Sequence, residues 1–255
     1  MYTPQGIALL GGSFNPPHIG HIRLALEVAQ NLPQVVGQVH MIPCATPPHK
    51  EGKGLLPFAL RAAMLEATLR PFPTIQVNRI EASREGLSYT WDTLLAYHAQ
   101  QPQVPLYFVL GAGDFAQLDT WHKGLRLPEL TNFIVVPRAD NAREVFLQTV
   151  QRFWQQAYSV PPLLPQGISA ALPQGGAFHF VPLPRLDISA SLIRQHWLAG
   201  KNIDFLVPDV VVPLLRQHKH SVMQHWATHK NTAHENCAPS PRQESNTPPQ
   251  CLTKS

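Results

Sequence analysis

Charge is scarce in this sequence: Asp, Glu, Lys and Arg together make up 14% of its 255 residues. The formal net charge is only +4, and no two Lys or Arg residues are adjacent. The basic stripe that a polyanion or an anionic lipid surface would require is missing, so nucleic acid and membrane are not expected partners. Cysteine is equally sparse. Cys44, Cys237 and Cys251 form an odd, scattered set that cannot build a disulfide framework. No apolar run approaches the length of a membrane span. The segment Met1-Tyr2-Thr3-Pro4 offers neither a basic n-region nor a hydrophobic h-region. These absences point to a soluble, reduced, cytoplasmic protein. A GxGxxG string is also lacking, which argues against a dinucleotide-dependent redox domain. What the chain does have is apolar content: at 44% hydrophobic residues it can bury a full-sized core, as one domain with additions.

Short apolar runs alternate with helical periodicity. Strands are expected over 7–10, 35–43, 74–77, 106–110, 133–136 and 178–181. Helices are expected over 19–32, 58–69, 90–101, 142–157, 190–199 and 210–217. Such alternation predicts a parallel sheet covered by helices on both faces, with ligands bound beyond the carboxyl ends of the strands. Residues 139–177 read as an insertion: a helix with Phe146, Val150, Phe153, Trp154 and Ala157 on one side, then a Pro/Gly/Leu-rich connection. Residues 219–255 lose periodicity and turn polar, with His220, His225, His229 and His234 in no closed metal-ligand spacing. They read as a solvated, disordered tail beyond a domain of residues 1–218, removable at little cost in stability.

The string Gly11-Gly12-Ser13-Phe14-Asn15-Pro16-Pro17-His18-Ile19-Gly20-His21 joins the first strand to the first helix. Its two leading glycines let backbone approach a ligand, and its prolines preset φ at a helix entrance. His18 and His21, three apart, project from one face of the first turn. Beside them lie unsatisfied N–H groups and the positive end of the helix dipole, a ready anion site. A plain structural turn and a metal site compete with this reading. His-x-x-His alone lacks the further ligands, or the glutamate base, of a helical zinc motif.

A second helix start follows at Asp187-Ile188-Ser189-Ala190-Ser191-Leu192-Ile193-Arg194. Ser189 is a suitable N-cap, and Arg194 shares a face with Ser191 and offers a forked donor to phosphate oxygens. A third, Ser88-Tyr89-Thr90-Trp91-Asp92-Thr93-Leu94, is capped by Ser88 or Thr90. Pro47-Pro48-His49-Lys50 forms a loop after the second strand. Gly111-Ala112-Gly113-Asp114 follows the fourth, and Leu118-Asp119-Thr120-Trp121-His122 comes next. Trp121 on its own reads as a half-buried core residue.

Taken together, these strings resemble the nucleotidylyltransferase superfamily, whose (T/H)xGH signature matches His18 to His21. The whole series, from about Gly6 to about His218, is similar to the bacterial nicotinate-mononucleotide adenylyltransferases. The resemblance implies a Rossmann-like, doubly wound parallel sheet with a helical insertion. It implies adenylyl transfer from ATP to nicotinate mononucleotide, giving nicotinate adenine dinucleotide and pyrophosphate. It assigns His18 and His21 to catalysis and Gly11, Gly12, Ser13, Phe14, Gly20, Gly111, Asp114, Ile188, Ser189, Ser191 and Arg194 to ATP. It assigns Asn15, His49, Lys50, Tyr89, Thr90, Trp121 and Arg138 to the mononucleotide. Mg²⁺ would arrive with ATP, with no metal ligand of the protein's own. Nicotinamide mononucleotide or a phosphopantetheine as acceptor, and a catalytically inactive nucleotide-binding regulator, are the alternatives.

Overall fold

The computed structural model describes residues 5–48 and 54–227. Its framework is one eight-stranded sheet in the order β3-β2-β1-β4-β5-β8-β7-β6. The strands are β1 (Gly6–Gly12), β2 (Val36–Pro43), β3 (Ile75–Val77), β4 (Leu106–Gly111), β5 (Asn132–Val136), β6 (Tyr158–Val160), β7 (Ile168–Ala171) and β8 (Ala177–Phe180). The pairs from β3 through β8 along this order are parallel; β8 with β7 and β7 with β6 are antiparallel. The helices are α1 (Ile19–Asn31), α2 (Phe58–Leu69), α3 (Thr90–Gln100), α4 (Ala112–Phe115), α5 (Ala142–Phe153), α6 (Ala190–Leu198), α7 (Val211–Gln217) and α8 (Lys219–Ala227).

The twofold alternation of side chains along each strand divides the core. Ile7 and Leu9 of β1, Leu106, Phe108 and Leu110 of β4, and Phe133 and Val135 of β5 face one layer with Trp91, Leu94, Phe115 and Phe146. Ala8 and Leu10 of β1, Val109 of β4, and Ile134 and Val136 of β5 face the other, against Ile22, Ala25 and Val28 of α1 and Leu65 and Leu69 of α2. Because β1 and β4 are neighbours, the order of connections reverses between them. The crevice at their carboxyl ends, where Gly11, Gly12 and Gly111 lie, is where an open sheet of this kind takes ligands.

The expected α/β class and parallel sheet are found. Two expectations change. The segment 139–177 is more than a helix with a loop. Its helix α5 ends at Phe153 because Trp154 leaves helical geometry (φ −134°, ψ 61°). The Trp154 indole is thereby buried against Phe115 and Phe178. The chain then adds β6 and β7 to the sheet. They are three and four residues long, too short for their alternation to register as strands in the sequence. The boundary at residue 218 is also corrected. Residues 219–227 form α8, which buries Val222 and Trp226 in a third cluster with Leu60 and Met64 of α2, Ile193 of α6, and Val211 and Leu215 of α7. Two buried side chains in a helix of nine residues are too few to read as periodicity, yet one of them is a tryptophan that is 1% exposed. The expectation that residues 219–255 detach without loss therefore fails for 219–227. His229, His234, Cys237 and Cys251 lie outside the described residues.

Candidate functional site

The turn between β1 and α1 is held from several sides. Phe14 carries φ 44°, a left-handed conformation that costs a bulky residue roughly 1–3 kcal/mol. Its ring is 1% exposed, and a Cβ on Gly12 would come within 3.1 Å of it. Gly12 is therefore glycine to admit the ring. Beneath the turn, Arg61 is 1% exposed; its Nη1 donates to the Ser13 carbonyl at 2.7 Å and its Nε to the Leu56 carbonyl at 2.8 Å. This buried cation fixes the strained backbone, and nothing local in the sequence marks it.

His18 occupies the N-cap position of α1 with extended dihedrals (φ −137°, ψ 167°). Its backbone N–H donates to His21 Nδ1 at 3.2 Å. An acceptor at Nδ1 puts the proton of the neutral His21 ring on Nε2, which makes that nitrogen a donor. The two imidazoles stack with centroids 3.5 Å apart and planes inclined by 23°, and Phe14 meets His21 edge-on at 4.9 Å. Burial pushes the His18 imidazole down to about 4, with the Arg138 charge acting in the same direction. Burial, then His18, then Arg138 hold His21 well below its ordinary value. Both rings are therefore neutral at neutral pH. A Cβ on Gly20 would lie 3.1 Å from His18 Nδ1, so the glycine between the histidines makes room for the inner one. That Nδ1 is buried with no hydrogen-bond partner among the described residues.

A cavity of about 510 Å³ opens at the carboxyl edge of β1 and β4. Gly11, Gly12, Ser13, His21, Gly111, Asp114, Tyr89, Thr90, Trp121 and Arg138, all assigned to the site from sequence, share its wall. Arg138 lies across Gly111, where a Cβ would come within 2.6 Å of the Arg138 Cγ. Burial raises the Asp114 carboxyl pKa, and the Arg138 charge opposes that shift. Trp121 stands edge-on to Phe108 at 6.2 Å, and Tyr89 lies 4.4 Å from His122. Gly20 and Arg138 also line a smaller adjoining cleft with Leu24, Pro137 and residues 183–186.

Other assigned residues lie elsewhere. Asn15 turns its side chain away from the cavity, to Gly54, Leu56 and Trp226. The substrate contact expected of it is replaced by a structural one. Ser189 caps α6 as expected, accepting from the Leu192 N–H at 3.2 Å. Ile188, Ser189, Ser191 and Arg194 stand beside the cavity rather than on its wall. Arg194 joins them to the turn: Nη1 donates to the Asn15 carbonyl at 2.9 Å and Nη2 to Ser191 Oγ at 3.0 Å. The cap expected from Ser88 or Thr90 is not made. Tyr89 occupies the N-cap position of α3 without a side-chain cap, and Ser88 Oγ accepts instead from the Thr46 N–H at 3.0 Å. His49 and Lys50 lie outside the described residues.

The sequence did not reveal Glu81, Cys44 or Phe108 on the cavity wall. Glu81 is 9% exposed; Oε1 accepts from the Thr93 hydroxyl at 2.9 Å and Oε2 from the Ala45 N–H at 3.3 Å. Burial, with the Glu81 charge next, pushes the Cys44 thiol up to about 11, so it stays protonated and unreactive.

A family model described as cytidylyltransferase-like matches residues 9–196. The chain is 34% identical over 211 residues to a probable nicotinate-nucleotide adenylyltransferase of Trichlorobacter lovleyi, covering 83% of this chain and 96% of that one. It is 35% identical over 214 residues to the protein of the same description from Desulfatibacillum aliphaticivorans, covering 83% and 97%. Among solved structures, the nicotinic acid mononucleotide adenylyltransferase of Plasmodium falciparum, complexed with NaAD, superposes with a TM-score of 0.64. That match is 19% identical and covers 85% of this chain and 97% of that one, a likeness of fold.

Proposed function

The chain belongs to the cytidylyltransferase-like family, and from that premise we propose that it is a nicotinate-nucleotide adenylyltransferase. It transfers the adenylyl group of ATP to nicotinate mononucleotide and releases pyrophosphate, a step of NAD biosynthesis. The observation that carries this reading is the stacked, desolvated His18–His21 pair at the start of α1, set beside a cavity shared by Gly11, Gly12, Arg138 and the first turn of α3. A phosphate oxygen of the mononucleotide attacks the α-phosphorus of ATP; the bond from that phosphorus to the bridging oxygen breaks, and pyrophosphate leaves with the electron pair. The attacking oxygen is already anionic, so no strong base is needed, and catalysis is positioning plus electrostatic stabilisation.

The residues divide the work accordingly. His21, neutral with its proton on Nε2, donates to the α-phosphoryl oxygens, and His18 supports it by stacking. Gly11 and Gly12 let the backbone approach the nucleotide. Arg138 brings positive charge to the cavity, and Ser191 with Arg194 holds the outer phosphates at the start of α6. The N–H groups at the start of α3, near Tyr89 and Thr90, receive the carboxylate of the nicotinate ring, and Trp121 packs against that ring. The family resemblance also assigns Lys50 and His49 to the mononucleotide. Among the described residues no three His, Cys, Asp or Glu side chains come together to hold a metal ion. Mg²⁺ carried in on the triphosphate would neutralise phosphate charge during the transfer. The test is pyrophosphate release from ATP and Mg²⁺ on adding nicotinate mononucleotide; no release from the folded protein overturns the reading.

A further inference from the structure

Asn15 is a junction. Its Nδ2 donates to the Gly54 carbonyl at 2.6 Å, and its Oδ1 accepts from the Leu56 N–H at 3.1 Å and the Trp226 Nε1–H at 3.2 Å. Its main-chain carbonyl accepts from Arg194 at 2.9 Å. One residue of the turn before α1 thus ties together the approach to α2, the start of α6 and the end of α8. The last of these connections spans 211 residues of sequence. The family match ends at residue 196, whereas α8 begins at Lys219, so this donor comes from outside the matched segment.

Packing alone does not require tryptophan here. Trp226 is 1% exposed, stands edge-on to Trp197 at 6.4 Å and packs among apolar side chains, contacts that call for a ring and not for a donor. What only the indole supplies is a buried N–H, which must find an acceptor. The acceptor it finds is the side chain of the turn that carries His18 and His21, not a helix carbonyl nearby. We propose that Trp226 is a positioning residue for the transfer reaction: its N–H fixes Asn15, and through Asn15 the histidine turn and the anchor of Arg194. Loss of the N–H leaves Asn15 Oδ1 with the Leu56 donor, so the turn loosens without an orphaned group. Small misplacements of groups that act on a transition state are costly in rate. The inference rests on the adenylyl-transfer reading for its kinetic readout only.

The test compares two variants of α8. Trp226→Phe keeps a ring and removes the donor; Val222→Ala thins the same buried cluster and leaves the donor in place. For Trp226→Phe we expect kcat to fall about three- to tenfold and ATP to bind more weakly by a similar factor, the scale of one hydrogen bond. Val222→Ala is expected to lower Tm by at least as much while retaining kcat and ATP affinity. Unchanged kcat and ATP affinity in folded Trp226→Phe overturn the inference, as does an equal loss in Val222→Ala. If the unaltered protein releases no pyrophosphate, the proposed function has failed, and ATP affinity in the two variants still decides the role of Trp226.

Discussion

The two sides of the cavity are built from different materials. On the proposed reading, the phosphate side is the β1–α1 turn backed by Arg61, Asn15, Arg194 and Trp226, and its working groups are imidazoles stripped of water. On the same reading, the pyridine side is the first turn of α3, with Tyr89, Trp121 and His122, tied to residues 45 and 46 through Glu81 and Ser88. Cations gather at the first. At the second, a buried carboxylate is spent on internal hydrogen bonds, and Ser88, Tyr89, Thr90 and Thr93 at the start of α3 line the wall. The division fits the tasks: charge that develops during transfer needs strong donors in a dry setting, whereas telling one ring substituent from another needs fixed donors of defined polarity.

His21→Ala is the harshest way to break this comparison. Its Nε2–H belongs to the phosphate side, and removal of one donor to a transition state lowers kcat by at least ~10²-fold. Far-ultraviolet circular dichroism and Tm are expected to show a folded protein. Wild-type turnover from folded His21→Ala would remove the histidine pair from the chemistry.

Protonation probes the same side without its substrates. His18 is pushed down to about 4 and His21 lies well below its ordinary value of 6.5, both chiefly through burial. In that window the unfolded chain binds protons that the folded one refuses. The stabilisation is therefore complete above pH 6.5 and is lost as the pH falls toward 4. Buried His40 and His179, each pushed down to about 4, add to the same slope. Tm is expected to drop across pH 6.5 to 4, and less steeply in the double variant His18→Gln, His21→Gln. Identical slopes would mean that the histidine turn is hydrated in the free protein.

Substrate choice sharpens the pyridine side. Nicotinate carries a carboxylate where nicotinamide carries an amide. Donors at the start of α3 favour the anion, and the amide N–H₂ would leave them unpaired. An acid-over-amide preference of at least ~10-fold in kcat/KM, about 1.4 kcal/mol, is expected with both mononucleotides at matched ATP and Mg²⁺. A reversed preference would show that Glu81, not the N–H groups, faces the ring substituent.

How far each side could be read from sequence follows from how each is assembled. Contiguous strings gave the strand–turn–helix of residues 7–32 and the Ser189 cap, because these depend on neighbours in the chain; the glycines, read from sequence as room for a ligand, also clear space for Phe14, His18 and Arg138. Arg61, Glu81 and the Asn15–Trp226 contact depend on partners far along the chain, and no periodicity encodes them. Asn15 shows the limit clearly. It lies within the most informative string, yet its side chain serves the fold and faces away from the cavity. The error at residue 218 has the same origin: a short helix that buries one tryptophan carries almost no pattern, although it reaches the turn that carries the histidines.

The smallest effect falls between the two sides, at the start of α6. The Ser189 hydroxyl accepts from the Leu192 N–H at 3.2 Å, and the resemblance also assigns Ser189 to ATP. One hydroxyl oxygen can cap a helix and still donate its proton outward, so both roles are geometrically open to it. Removing a cap costs about 1 kcal/mol, which for a domain of this size lowers Tm by about 2–4 °C. Ser189→Ala is expected to show that shift, with the KM for ATP rising about threefold or less, since Ser191 and Arg194 remain. Thermal unfolding with and without ATP separates the roles. An unchanged Tm with a tenfold rise in KM would mean that the hydroxyl leaves the cap when the triphosphate binds, and that the start of α6 is remade by its ligand.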